Sequence, residues 1–234
     1  MEKDALQYLV DLNKEYEVVD GRTFIDPDLR EVRQETASPF GISTLSGLVD
    51  YIQSEFDGDD TVMVQVVSPK KVRVLGQMNA NKERDKFVNV EAIVPDFDYG
   101  RFHDMEDFNI KLQSLFLPGP DRAVILQVVG NVKEEDVRSY GDNGVSQSVV
   151  ASTGIANVEN ILVPNPVELA PYRTFTEVEQ PKSLFVFRMQ DGPRAALFEA
   201  DGGAWKNHAI KGIESYLKDK LSTDIENGRV HVIA

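Results

Sequence analysis

Close-set carboxylates are the side chains whose spacing could do chemistry in this chain: Asp26 with Asp28, Asp57 with Asp59 and Asp60, and Asp96 with Asp98. Pairs of this kind can hold a divalent cation or divide acid and base roles between them. A calcium-binding loop that began at Asp57 would need a bidentate acid where Ser68 stands, so that motif is excluded. A nuclease-like Pro-Asp, strand and Gln-x-Lys order begins at Pro120-Asp121 and Gln127, but Val129 occupies the lysine position. Asp96, Asp98 and His103 remain as a set on which a cation-dependent hydrolase could be built. Asp104 and Glu106 beside His103 have a simpler role, as N-cap and first-turn acid of a helix.

Other chemistries find less. His103, His208 and His231 are far apart, without the i, i+4 spacing of a metal-binding helix. The chain has no cysteine, which removes disulfides, thiolate metal sites and cysteine nucleophiles together. Neither phosphate-cradling glycine motif is present. The hydrolase elbow is approached only by Gly144-Val145-Ser146-Gln147-Ser148, which lacks its second glycine. The expectation is a protein that is not an enzyme, with no catalytic, cofactor-binding or metal-ligating residue and no cofactor.

Composition bounds the partners. The net charge of −14 is concentrated at one end: residues 1–60 carry 15 acidic and 5 basic side chains. Such a field opposes non-specific binding to nucleic acid, which needs clustered Lys and Arg, and Pro69-Lys70-Lys71 is too small a patch to reverse it. It suits solubility, or alternatively docking on a basic partner or mimicry of nucleic acid. No run of about 18 apolar residues is available to cross a membrane. Charges interrupt the N-terminal apolar positions, unlike a secretory leader, so a location in the cytoplasm is expected.

The elements that would position these residues follow from periodicity. Asp4 caps a first helix over 4–15, and Thr23-Phe24-Ile25 reads as a strand. Ser43 or Thr44 caps a helix to Phe56, with Leu45, Leu48, Val49, Ile52 and Phe56 on one buried stripe. Val62–Val67 and Val72–Met78 form a hairpin across Ser68–Lys71, followed by a strand over 87–94. A helix over 104–116 buries Met105, Phe108, Leu112, Leu115 and Phe116. Ala123–Val129 reads as an interior strand and Glu134–Arg138 as one helical turn. Residues 145–151, 161–163, 167–169 and 174–178 read as short strands among prolines. Strands at 184–190 and 195–199 lead through Asp201-Gly202-Gly203 into a helix over 204–221, and 230–234 is a last strand. The order predicts an α+β fold, mainly antiparallel, with about four helices on the sheet. One domain over 1–234 is expected, with a subdivision into 1–118 and 119–234 left open.

Two features near the C-terminus draw interest. Phe185 and Phe187 share one strand face and read as core rather than as a stacking platform for bases. Asp201-Gly202-Gly203 has the look of a phosphate turn at a helix N-terminus, but it lacks a Lys or Ser partner and Asp201 repels an anion. Asp201, Gly202, Gly203 and Trp205 are therefore candidate structural or interaction residues, with Trp205 packed on the hairpin or contacting a partner.

The residues Gln180-Pro181, Phe185-Val186-Phe187-Arg188, Ala196 to Lys206 and Ile213 to Leu217 resemble the C-terminal part of the YfdQ-like family, tailed-phage and prophage proteins of unassigned function. Upstream, Ser46 to Tyr51 followed by Asp60-Thr61-Val62 and a hairpin is similar to its N-terminal half, so the likeness runs over most of the chain from about residue 23. The resemblance implies a phage-encoded protein of the infected bacterial cytoplasm, from a replication or recombination gene neighbourhood, and supplies no catalytic residues. The leading expectation is thus a non-enzymatic viral protein acting by binding or homo-oligomeric assembly, with itself or a host or phage protein as partner. The alternative is an accessory factor of phage DNA replication or recombination that binds or mimics nucleic acid, and the third is the hydrolase.

Overall fold

A computed structural model describes residues 38–79, 82–131, 163–190 and 194–234, and the backbone of strands at 16–19, 22–25, 30–31, 148–153 and 157–162. The expected helices at 4–15 and 134–138, and Ser146, Asp26 and Asp28, lie outside the described residues. The fold is α+β, as its element order predicts.

The first layer is a five-stranded sheet ordered β14-β5-β6-β7-β4, where β4 is Phe40–Ile42, β5 Val62–Ser68, β6 Lys71–Met78, β7 Arg84–Glu91 and β14 Val230–Ile233. The central pairings are antiparallel, whereas β14 runs parallel to β5 and β4 parallel to β7. Its inner face is built from valine. Val232, Val64, Val74 and Val88 lie opposite one another across four strands, and Val66, Val72 and Val90 form a second row. β-branched side chains are stiff and pack well on a pleat, so this pattern favours strand and fills one face evenly. Helices α1 (Leu45–Ser54) and α4 (Trp205–Lys220) cover it with Leu45, Leu48, Val49, Ile52, Ile213 and Leu217.

The second layer is a four-stranded antiparallel sheet, β11-β12-β13-β8, from Val167–Leu169, Ser183–Gln190, Arg194–Glu199 and His103–Asp104. Helices α2 (Met105–Leu115) and α3 (Pro120–Asn131) pack on it around Phe108, Phe116, Phe185 and Phe187. Phe185 and Phe187 are core, on the face that their alternation indicates. Two smaller pieces, β1-β2-β3 (Tyr16–Val19, Arg22–Ile25, Arg30–Glu31) and β9-β10 (Ser148–Thr153, Asn157–Leu162), form sheets of their own. With the short α5 (Ser222–Glu226), the described residues hold five helices.

Four expectations are corrected. Ala123–Val129 is helix rather than strand: Pro120 opens α3 where a missing N–H costs nothing, and Ile125, Val128 and Val129 bury one face at i, i+3, i+4. Residues 174–178 are turns, with Phe175 inserted into the first core. Phe56 is not on the buried stripe, because α1 ends at Ser54 and Glu55 turns left-handed at φ 53°, which swings Phe56 into solvent. The hairpin connection is also shorter than expected, Pro69-Lys70.

A strap over 170–182 joins the layers. Buried Gln180 accepts from the N–H groups of Arg173 and Thr174 and donates to the Phe175 carbonyl, replacing a sheet ladder with one amide side chain. The Thr174 hydroxyl donates to the Pro69 carbonyl in the first layer. Glu177 accepts from the N–H groups of Leu45 and Ser46, so a carboxylate remote in sequence satisfies the start of α1 beside the Thr44 cap. Neither core coincides with 1–118 or 119–234, since each draws on residues from both segments.

Candidate functional site

Asp201, Gly202, Gly203 and Trp205 converge on a buried arginine. Gly202 and Gly203 have φ of +62° and +81°, consecutive left-handed positions where a side chain would be strained. Asp201 closes this turn: one carboxylate oxygen accepts the Gly203 N–H at 2.9 Å, and the other accepts the Ser183 hydroxyl at 2.7 Å and the Trp205 N–H at 3.3 Å. Burial works to raise its pKa, but the Ser183, Gly203 and Trp205 donors and the charge of Arg173 outweigh it, so the carboxyl sits below its usual range. The negative charge that argues against a phosphate site thus receives the first N–H of α4, that of Trp205.

Trp205 lies flat beneath Arg173, whose guanidinium carbon is 4.0 Å from the ring centroid. Only 9% of Trp205 is exposed, so it is packed inside this chain rather than offered to a partner. Arg173, 5% exposed, donates to Glu199 at 3.2 Å, to the Pro181 carbonyl at 3.3 Å and to the Ser183 hydroxyl. Burial pulls its guanidinium below the usual value, and Tyr99, Glu199 and Asp201 oppose the shift. Tyr99 stacks on Phe185, and burial pushes its hydroxyl well above the ordinary phenol range, so it stays protonated. The Asp201 carboxylate is committed to the Gly203, Ser183 and Trp205 donors and the Glu199 carboxylate to Arg173, so the cluster holds elements in place.

His103 is 7% exposed and has both ring nitrogens engaged: Nδ1 lies 2.9 Å from the Asp107 carboxylate and Nε2 3.2 Å from the Asp98 carbonyl. Lys111 bridges to the same Asp107 oxygen at 2.9 Å, and this cation with the His103 contact lowers the Asp107 carboxyl. The Asp96 and Asp98 side chains are exposed, and Asp104 caps α2 through the Asp107 N–H. Among the described residues no group of three or more His, Asp or Glu side chains is placed to hold a metal ion. His208 and His231 are exposed.

The third place is a pocket of about 40 Å³ beside the end of α1. Tyr51, Phe56 and Phe87 supply aromatic walls, and Glu55, Asp57, Asp60 and Arg229 its charges. The left-handed Glu55 and Gly58 at φ 109° form the bend that turns Phe56 outward, 82% exposed. The Tyr51 hydroxyl donates to Asp57 at 2.8 Å; burial and that carboxylate hold it protonated, above the ordinary range. Arg229 is saturated by Asp224, by Glu55 at 3.2 Å and by the Ile52 carbonyl at 3.1 Å.

Sequence reasoning passed over Arg173, Gln180 and Ser183 as site residues, because an isolated polar residue among prolines carries no periodic signal of burial. Asp107 was legible, four residues from His103 and four from Lys111 on one helix face. No helix among the described residues is long and apolar enough to cross a membrane. Comparison with known protein families, with curated proteins and with solved structures finds no match.

Proposed function

We propose that this chain is a non-enzymatic, phage-encoded protein that works by homo-oligomeric assembly and partner binding in the cytoplasm of the infected bacterium. The observation that supports assembly is the edge of the first sheet. No strand among the described residues pairs with the outer side of β14, and Ile233 on it is half-exposed. The Arg229 carbonyl accepts the Val62 N–H at 2.9 Å, so by strand alternation Val230 and Val232 direct their backbone groups away from β5. Two such edges can pair antiparallel about a two-fold axis and continue the sheet between copies. The phage origin rests on the likeness of the Gln180-Pro181 and Asp201-to-Lys206 segments to the YfdQ-like family.

Size-exclusion chromatography with light scattering at micromolar concentration tests the assembly. A mass that is a multiple of 26.2 kDa is expected. Val232→Pro removes an outward N–H while leaving the bonds to β5, so it should yield folded monomer. A wild-type monomer would overturn the reading.

A further inference from the structure

We infer that the pocket beside α1 receives the guanidinium or ammonium head of a basic side chain presented by a partner protein. This deepens the partner-binding part of the proposed function and rests on it. Size comes first: about 40 Å³ holds roughly three water-sized groups, the scale of one guanidinium head rather than of a nucleotide or coenzyme.

Charge comes second. Arg229, the one cation among the described lining residues, is spent on Asp224 and Glu55. Asp57 receives a neutral donor, the Tyr51 hydroxyl, and neither Asp57 nor Asp60 has an ion pair among the described residues. The pocket therefore offers two carboxylates without an ion pair beside three aromatic side chains, a combination complementary to a cation and repellent to phosphate. Phe56 supplies the third point. A helix terminus that swings a phenylalanine into solvent at 82% exposure forgoes its burial, and at the rim of an acidic pocket that ring can cover the stem and flank the charge of an entering Arg or Lys. Arg is favoured over Lys because its planar head can stack on a ring and bond a carboxylate together.

The test uses the intact chain and a short fluorescent Gly/Ser peptide that carries arginine, against the same peptide with citrulline, its neutral isostere. Fluorescence anisotropy at low salt should show saturable binding of the arginine peptide and at least ~10-fold weaker binding of the citrulline peptide. Phe56→Ala, at an exposed position whose loss leaves the core intact, should weaken arginine binding about five-fold, and the pair Asp57→Asn with Asp60→Asn should abolish saturation. Equal binding of both peptides overturns the proposal, as does no saturable binding. Binding indifferent to Phe56→Ala also overturns it, by showing only general attraction to a chain of charge −14. Light scattering on the same samples separates the two readings: failed peptide binding by a multimer leaves assembly standing, and binding by a monomer leaves the pocket standing.

Discussion

Replacing Arg173 with methionine tests the central packing claim directly. Methionine keeps an aliphatic stem and removes the head that lies over Trp205. Three charge-assisted hydrogen bonds are lost, to Glu199, Pro181 and Ser183, each worth ~1.5–3 kcal/mol before the cost of desolvating the guanidinium is returned. The stack on Trp205, at 4.0 Å and buried, adds about 2 kcal/mol. The Glu199 carboxylate is 39% exposed and rehydrates easily, which softens the loss on that side. The balance is a net destabilisation of ~3–5 kcal/mol, the usual cost of removing one partner from a buried polar cluster. For a chain of this length that corresponds to a fall in melting temperature of about 10 °C. Urea unfolding followed by Trp fluorescence is a well-placed assay, because Trp205 is the sole tryptophan. Its native emission should shift to the red and become easier to quench in the variant. A loss below ~1 kcal/mol with unchanged emission would refute the reasoning, since the stack would then contribute no more than a surface ion pair.

The pH dependence of stability should carry the signature of Asp201. Its folded carboxyl lies below the unfolded value, so its contribution is present above about pH 4 and is lost as pH falls through the folded value; Asp201→Asn should lower stability at neutral pH and flatten the acid limb of a thermal-melt series. Gly203→Ala should cost ~1–2 kcal/mol through φ alone, because a Cβ there meets nothing nearer than 3.9 Å. A neutral Gly203→Ala in calorimetry would show that the turn tolerates another conformation.

Much of the frame could be read from residue order because local chemistry agreed with the global fold. Thr44 before Leu45, Asp104 before Met105 and the turn at 201–203 each announce a boundary by a donor or acceptor need that arises within a few residues. The valine runs announce strands because stiff β-branched side chains suit a pleat. Ala123–Val129 was ambiguous for the opposite reason: a continuous apolar run buries equally well in either state, and only Pro120 and the run's place in a twelve-residue element decide it. The candidate site was legible at the Asp201-Gly202-Gly203 turn and silent at Arg173, which earns its burial from Glu199, Ser183 and Trp205, residues 10 to 32 positions away. Phe56 was misplaced because helical periodicity carries no mark of the left-handed Glu55 that ends the helix one step early.

The parallel pairing of β14 with β5 has a consequence for the history of each molecule. These strands are separated by well over a hundred residues, yet Val230 and Val232 complete the valine surface that begins at Val62 and Val64. During synthesis Val62–Val67 therefore has an unclaimed neighbour place until residues 230–233 have been made, and α4, which roofs the same surface, arrives only shortly before. Such a sheet forms by long loop closure, so the chain made before β14 is the aggregation-exposed species. In the folded protein the open edge has moved outward by one strand, from β5 to β14, which no strand among the described residues pairs on its far side.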